Sequence, residues 1–306
     1  MIVERKKQGV KAPSREGILL CSDLDRTIIP NGPQAESPRA RELLGILAGR
    51  PEMVVVYVSG RHRELLMQAI RHYALPLPDY AVGDVGTTIY HLDNSQWRQL
   101  QAWHEEIAED WLGLSSRNLA PMLGNLKDLR LQEEEKQGPF KLSYYTLPYT
   151  GGRGGAAGGE SARDKLLSEV EFCLREARIH LRLVWSVDEE RNLGLLDILP
   201  ERAGKLAAIR FLMNNLGFSQ KNTVFSGDSG NDLDVLGSEL NAVLVANAPE
   251  EVRREAREMV RRAGRDATLY CARGGFMGMN GNYSAGVLEG LAHYQPKIGR
   301  WLQPRE

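Results

Sequence analysis

A chain of 306 residues with 42% hydrophobic content is long enough to bury one large core, or a core with a smaller unit beside it. Its 39 basic and 40 acidic residues leave a net charge of −1, which excludes the bulk field that would draw nucleic acid or an anionic membrane, so partners must be sought at sites. The three cysteines, Cys21, Cys173 and Cys271, stand far apart without a C-x-x-C pair, which argues against a disulfide scaffold or zinc knuckle and fits a reducing cytoplasm.

Residues 1–16 carry charges with no apolar run behind them, and no later stretch reaches the roughly 18 apolar residues of a membrane span, so they read as a loosely ordered tail. The first apolar run, GILLCS at 17–22, is continuous rather than alternating, as are MVVVYVS (53–59), NTVFSGD (222–228) and NAVLVAN (241–247). Strands covered on both faces of a parallel sheet have this pattern. Between them, Ser37-Pro38 offers an N-cap and first helical position for RARELLGILAG, and GKLAAIRFLMNNLG is amphipathic and closes on Gly217. The alternation predicts a doubly wound α/β core.

The middle of the chain breaks that rhythm. After YAVGDVGTTIYH come an amphipathic stretch from about Asn94 to Leu114, an extended FKLSYYTL, a helical SARDKLLSEVEFCLREAR, and the strand patterns HLRLVWSV and LGLLDILP. We expect a small α+β unit over 91–197 inserted into a core made of 17–90 and 198–306, with hinges near 90 and 198. Within it, TGGRGGAAGGES (150–161) is too glycine-rich for an ordered element and lacks the strand and helix context of a phosphate loop, so it reads as a surface excursion.

The strand tips of a doubly wound sheet open onto one crevice. Here they bring together Asp23 and Asp25 after the first strand, Ser59 and Gly60 after the second, and Asp228, Asn231 and Asp232 in GDSGNDLD, with Lys205 at a helix start. Four carboxylates against one lysine would repel one another without a cation, and oxygen donors of this kind suit Mg²⁺. Alternate strand residues share a face, so Asp23 and Asp25 can both line the crevice, one attacking and one moving a proton, with Thr27 continuing that face. Ser59 and Lys205 would then hold phosphoryl oxygens.

In order, DLDRT, VSGR, Gly204-Lys205 and GDSGND resemble the four signature motifs of the haloacid dehalogenase superfamily, and the insertion is similar to its C2-type cap, of the C2B kind. SDLDRT, VGTTIY, LLDILPERAGK, VFSGDSGNDLDVL and VANAPEEV further resemble the sucrose-phosphate phosphatase branch across most of residues 17–290. The resemblance implies a Rossmann-like core and an aspartyl-phosphate mechanism. In it Asp23 accepts the phosphoryl group and Asp25 is general acid and then base. Mg²⁺ is held by Asp23, the carbonyl of Asp25 and Asp228, with Asp232 close by. Ser59, Gly60 and Lys205 match phosphate-binding positions, Asn231 a substrate or supporting position, and the cap would read the sugar, with Lys141 and Ser143 as candidate contacts. Trp185, Arg191 and Asn192 could also shape a sugar pocket.

The implied substrate is sucrose 6-phosphate. Mannosylfructose phosphate, glucosylglycerol phosphate and a hexose phosphate stay open, because only the cap reads the leaving group. A phosphosugar mutase, or a catalytically silent partner of a glycosyltransferase, are further alternatives. The silent module is disfavoured because Asp23, Asp25 and the acids of GDSGND are all present.

Overall fold

The computed structural model describes residues 17–93, 96–148, 156–188 and 191–303. The expected tail, Asn94 and residues 150–155 of the glycine-rich stretch lie outside these. The chain divides into two compact units, residues 1–99 with 205–306, and residues 100–204. The first unit begins with β1 (Ile18–Ser22), α1 (Ala40–Ala48), β2 (Met53–Val58), α2 (Arg63–His72), β3 (Tyr80–Gly83), β4 (Thr88–Asp93) and β5 (Gln96–Gln99). The second contains α3 (Gln101–Ala108), α4 (Ser116–Leu119), β6 (Arg130–Leu131), β7 (Leu142–Thr146), α5 (Ala156–Glu176), β8 (Leu181–Asp188) and β9 (Leu193–Pro200). The first unit then resumes with α6 (Lys205–Leu216), β10 (Thr223–Gly227), α7 (Leu233–Leu236), β11 (Asn241–Leu244), α8 (Glu250–Arg262), β12 (Leu269–Cys271), α9 (Ser284–Tyr294) and α10 (Lys297–Leu302).

The sheet of the first unit has the order β12-β11-β10-β1-β2-β3-β4-β5, parallel from β12 to β3 and closed by an antiparallel β4–β5 edge. From β1 the chain winds outward through β2 and β3, and from β10 it winds the other way, so the order reverses between β1 and β10. Ligands of open α/β sheets bind outside the strand ends at such a reversal. Both faces of these strands are covered. Ile18, Leu20, Val55 and Tyr57 join one buried cluster with residues of α1, α2, α9 and α10, while their neighbours Leu19, Cys21 and Val56 are equally inaccessible. Two-sided burial is why the runs are apolar at every position rather than at every second one.

The second unit is a four-stranded antiparallel sheet, β6-β7-β9-β8, whose residues Leu142, Tyr144, Leu196 and Ile198 pack with Val170 and Leu174 of α5 and with Trp111. No helix of the described residues is long and apolar enough to cross a membrane.

Several expectations need correction. The inserted unit starts at Leu100 and ends at Gly204, not at 91 and 197, because β5 pairs with β4 on the core sheet and 201–204 are tied into the second unit. There the backbone N–H of Arg202 donates to Asp110 Oδ2 at 2.6 Å. The amphipathic stretch from Asn94 is a strand followed by a helix, split at Leu100. Ser37 is not an N-cap: α1 starts at Ala40 behind Arg39, and the Ser37 hydroxyl accepts from the Asn280 backbone N–H at 2.9 Å instead. The glycine-rich stretch is helical from Ala156, where its alanines begin. Gly217 does close α6, with φ +72° in the left-handed region that glycine enters without strain.

Candidate active site

Three strand ends and one helix start build the site, all in the first unit. Asp23 directly follows β1, and its N–H donates to the Ser226 carbonyl of β10 at 2.9 Å, which fixes the two tips side by side. Asp228 follows β10. Lys205 is the first residue of α6 and is buried, with its ammonium donating to Asp23 Oδ1 at 2.8 Å, Asp232 Oδ1 at 2.7 Å and Asn231 Oδ1 at 3.1 Å. The other oxygen of Asp232 accepts from the backbone N–H groups of Asp228 and Ser229, both at 3.1 Å. Asp232 is 0% exposed, and its carboxylate lies so close to Gly227 that a Cβ there would stand 2.6 Å from its Cγ. Glycine at 227 is therefore a requirement of close approach.

Thr27 is buried rather than open to the crevice, and its hydroxyl lies between Asp23 Oδ2 at 3.4 Å and Asp228 Oδ1 at 3.2 Å. It ties two acids together; it does not present a hydroxyl outward. Ser59 is buried at the tip of β2, with its hydroxyl accepting from the Arg61 N–H at 3.3 Å, and Gly60 beside it is exposed. Asp25 stands at the rim, half-exposed. Both its oxygens are gripped by Arg61, Nε to Oδ2 at 2.7 Å and Nη2 to Oδ1 at 2.6 Å, and Asn31 Nδ2 donates to Oδ1 at 2.8 Å.

One oxygen each from Asp23, Asp228 and Asp232 lies within 4.8 Å of the others. Among the described residues, two cations face these three carboxylates: Lys205, and Arg26, whose Nε lies 3.5 Å from Asp228 Oδ2 without a hydrogen bond of its own. The imbalance shows in the acids. Burial, with Asp232 and Asp228 adding to it against Lys205, pushes Asp23 up to about 7. Burial and Asp232, against Arg26, push Asp228 up to about 6. Burial alone would lower Lys205, but Asp23 and Asp232 outweigh it and hold the ammonium above its ordinary value. For Asp25 burial pulls upward too, yet the Arg61 fork and Asn31 win and hold its carboxyl below the usual range. A hard divalent cation fits the donor set, because all three donors are carboxylate oxygens held close together in a buried site.

The remaining sequence candidates lie in the second unit. Ser143 lies on β7 and Lys141 immediately before it: the Ser143 hydroxyl, 0% exposed, donates to Asp197 Oδ1 at 2.5 Å, and Lys141 Nζ donates to the Lys136 carbonyl at 2.9 Å and pairs with Asp197 at 3.6 Å. Trp185 packs against the core of that unit and donates to Thr146 Oγ1 at 3.2 Å, Arg191 pairs with Asp188, and Asn192 turns the chain with φ +51°. Sequence reasoning gave no role to Arg61, Arg26, Asn31 or Asp197. Arg61 and Arg26 stood inside the quoted motifs; Asn31, six residues past Asp25, left no pattern to find.

The site gathers three buried carboxylates around one lysine ammonium. Residues 16–295 match the family described as sucrose-6F-phosphate phosphohydrolase. The chain belongs to that family. It is a phosphoric monoester hydrolase of the haloacid dehalogenase-like fold, acting on phosphorylated sugars. A putative HAD-like hydrolase of Nitrosococcus oceani is 52% identical over 94% of this chain and 75% of its own. Mannosylfructose-phosphate phosphatase of Agrobacterium fabrum is 28% identical over 90% of this chain and 96% of its own, and probable sucrose-phosphatase 2 of Arabidopsis thaliana is 26% identical over 94% and 62%. Among solved structures, the sucrose-phosphatase of Synechocystis sp. PCC6803, in complex with sucrose and phosphate, superposes with a TM-score of 0.67 at 24% identity, covering 91% of this chain and 98% of its own. That likeness establishes the fold of this family member.

Proposed function

We propose that the protein is a Mg²⁺-dependent phosphatase that hydrolyses sucrose 6-phosphate through a phosphorylated Asp23. The observation that carries the chemistry is the buried cluster of Asp23, Asp228 and Asp232 around Lys205. The family match over 16–295 supports the substrate. Asp23, Asp228 and Asp232 would hold Mg²⁺, which when bound offsets their charge and that of the phosphoryl oxygens.

In this reading a carboxylate oxygen of Asp23 attacks phosphorus and the bond to the sugar oxygen breaks. Asp25 gives that oxygen its proton, so the sugar leaves as a neutral alcohol. Water then attacks the acyl phosphate, gives a proton to Asp25, and inorganic phosphate departs with Asp23 restored. Lys205 keeps Asp23 in place and offers its charge where the phosphoryl oxygens gather, while Ser59 orders the β2 tip. Asn231, which accepts from Lys205, orients that ammonium. Sugar recognition is assigned to the second unit. Lys141 is its candidate contact rather than Ser143, because an ammonium has three donors whereas the Ser143 hydroxyl is spent on Asp197.

A second reading keeps the reaction and takes mannosylfructose phosphate as substrate, supported by the 28% identity over nearly the whole length of the Agrobacterium enzyme. Phosphate release with Mg²⁺ from sucrose 6-phosphate, mannosylfructose phosphate, glucosylglycerol phosphate and glucose 6-phosphate separates the two. Preference for sucrose 6-phosphate is expected; preference for another member moves the sugar, and isomerised sugar phosphate without phosphate release would mean a mutase.

A further inference from the structure

Arg61 stands outside the proposed reaction, yet its side chain makes a close, ordered contact with Asp25. Arg61 follows the Ser59-Gly60 turn at the tip of β2 and grips both oxygens of Asp25 with a planar fork at 2.6 and 2.7 Å. Its own backbone is fixed: the N–H donates to Ser59 Oγ, and the carbonyl accepts from the Asp84 N–H at 3.0 Å. Gly83 passes so near that a Cβ there would lie 2.9 Å from that carbonyl. Asn31 adds the third donor to Asp25 and accepts from the Arg26 N–H at 2.8 Å.

Asp25 benefits from such support, because its backbone lies beyond the end of β1, in an isolated bridge to Ile29. An ionised carboxylate offers about four lone-pair sites. Oδ1 accepts from Arg61 and Asn31 and is filled; Oδ2 accepts Arg61 Nε and, among the described residues, keeps one site open. A fork fixes the position and also the plane of its partner, which an ammonium does not. We propose that Arg61 is a positioning residue that aims the open site on Asp25 Oδ2 at the oxygen whose proton Asp25 moves. This rests on the reading of Asp25 as the proton-transfer residue. The transfer itself is unchanged: the proton on Oδ2 passes to the sugar oxygen as its bond to phosphorus breaks, and the proton returns from water in the next step. Misplacement of a reacting group by ~1 Å can cost about 10²-fold in rate.

The test compares kcat/KM, which reports steps up to leaving-group departure, on a sugar phosphate and on p-nitrophenyl phosphate, whose leaving group departs without a proton. The variants are D25N, R61A, R61K and the double variant D25N/R61A. D25N and R61A should each lose about 10²-fold or more on the sugar phosphate and far less on p-nitrophenyl phosphate. R61K should restore little, added guanidinium ion should rescue R61A, and the double variant should be no worse than D25N alone. If R61A loses equally on both substrates, or its loss multiplies with that of D25N, Arg61 does not act through Asp25 and the proposal fails. If D25N itself loses equally on both, the assignment of Asp25 fails, and the proposal with it. R61K carries the same comparison should R61A not fold.

Discussion

Asp23 and Asp228 sit beside each other's charge with little water to spread it, and this makes the site's response to pH calculable in sign. Both carboxyls are raised from 3.8, to about 7 and about 6. The folded protein therefore holds protons that the unfolded chain has released, and without a cation stability falls as pH rises through the window from about 4 to 7. Lys205, held above its ordinary 10.5, keeps its contribution throughout that window and loses it only at much higher pH. A divalent cation displaces the same protons, so the rise in melting temperature on adding Mg²⁺ should grow from pH 5 to pH 8. A constant rise, or one that shrinks, would contradict a cation at these acids. Two substitutions test the packing. Lys205→Met leaves Asp23 and Asp232 buried without their counter-charge and should destabilise the protein by about 3–5 kcal/mol in urea unfolding. Gly227→Ala drives a methyl into Asp232, which two backbone N–H groups hold in place, and should cost about 1–3 kcal/mol.

At the scale of elements, each catalytic candidate owes its place to how a strand ends. The continuous runs at 17–22 and 222–228 were legible as buried parallel strands because both of their faces are covered, and the acids at their tips were legible with them. The edge hairpin β4–β5 was not, since QWRQ carries one half-buried residue among exposed ones and its pattern merges into the following helix. Ser37 misled for a different reason: its hydroxyl had a partner 243 residues away that no local pattern contains. In the second unit, Asp197 on β9 joins Ser143 of β7 and Lys141 just before it, and those two also hold the Lys136 carbonyl. Asp197→Ala should accordingly loosen residues 132–138, seen as faster amide exchange there, with the β8–β9 ladder unaffected. Unchanged exchange at 132–138 would show that the backbone holds the segment alone.

For the whole molecule, the chain crosses between its two units at 99–100 and 204–205. The positions anticipated from sequence, 90 and 198, are both inside ladders: Tyr90 pairs with Ala81 and Gln99, and Ile198 pairs with Leu142 and Leu183. Amide exchange should therefore be slow at 90 and 198 and faster at the two crossings. The reverse order would place the hinge inside a sheet and contradict the division. Motif order made the gathering of Asp23, Lys205, Asp228 and Asp232 readable from sequence, because the strand tips of a doubly wound sheet converge whatever the insertion between them. The sugar was less readable, because the two candidates offered by sequence, Lys141 and Ser143, bond to Asp197 and the Lys136 carbonyl within the second unit.

The central claim is that Asp23 carries the phosphoryl group between substrate and water. Acid quenching during turnover of sucrose 6-phosphate with Mg²⁺, followed by mass spectrometry of the peptides, reads this directly. One phosphate is expected on the peptide containing Asp23, absent in Asp23→Asn and absent without the metal. Turnover with no phosphopeptide in wild type, together with retained activity in Asp23→Asn, would contradict it.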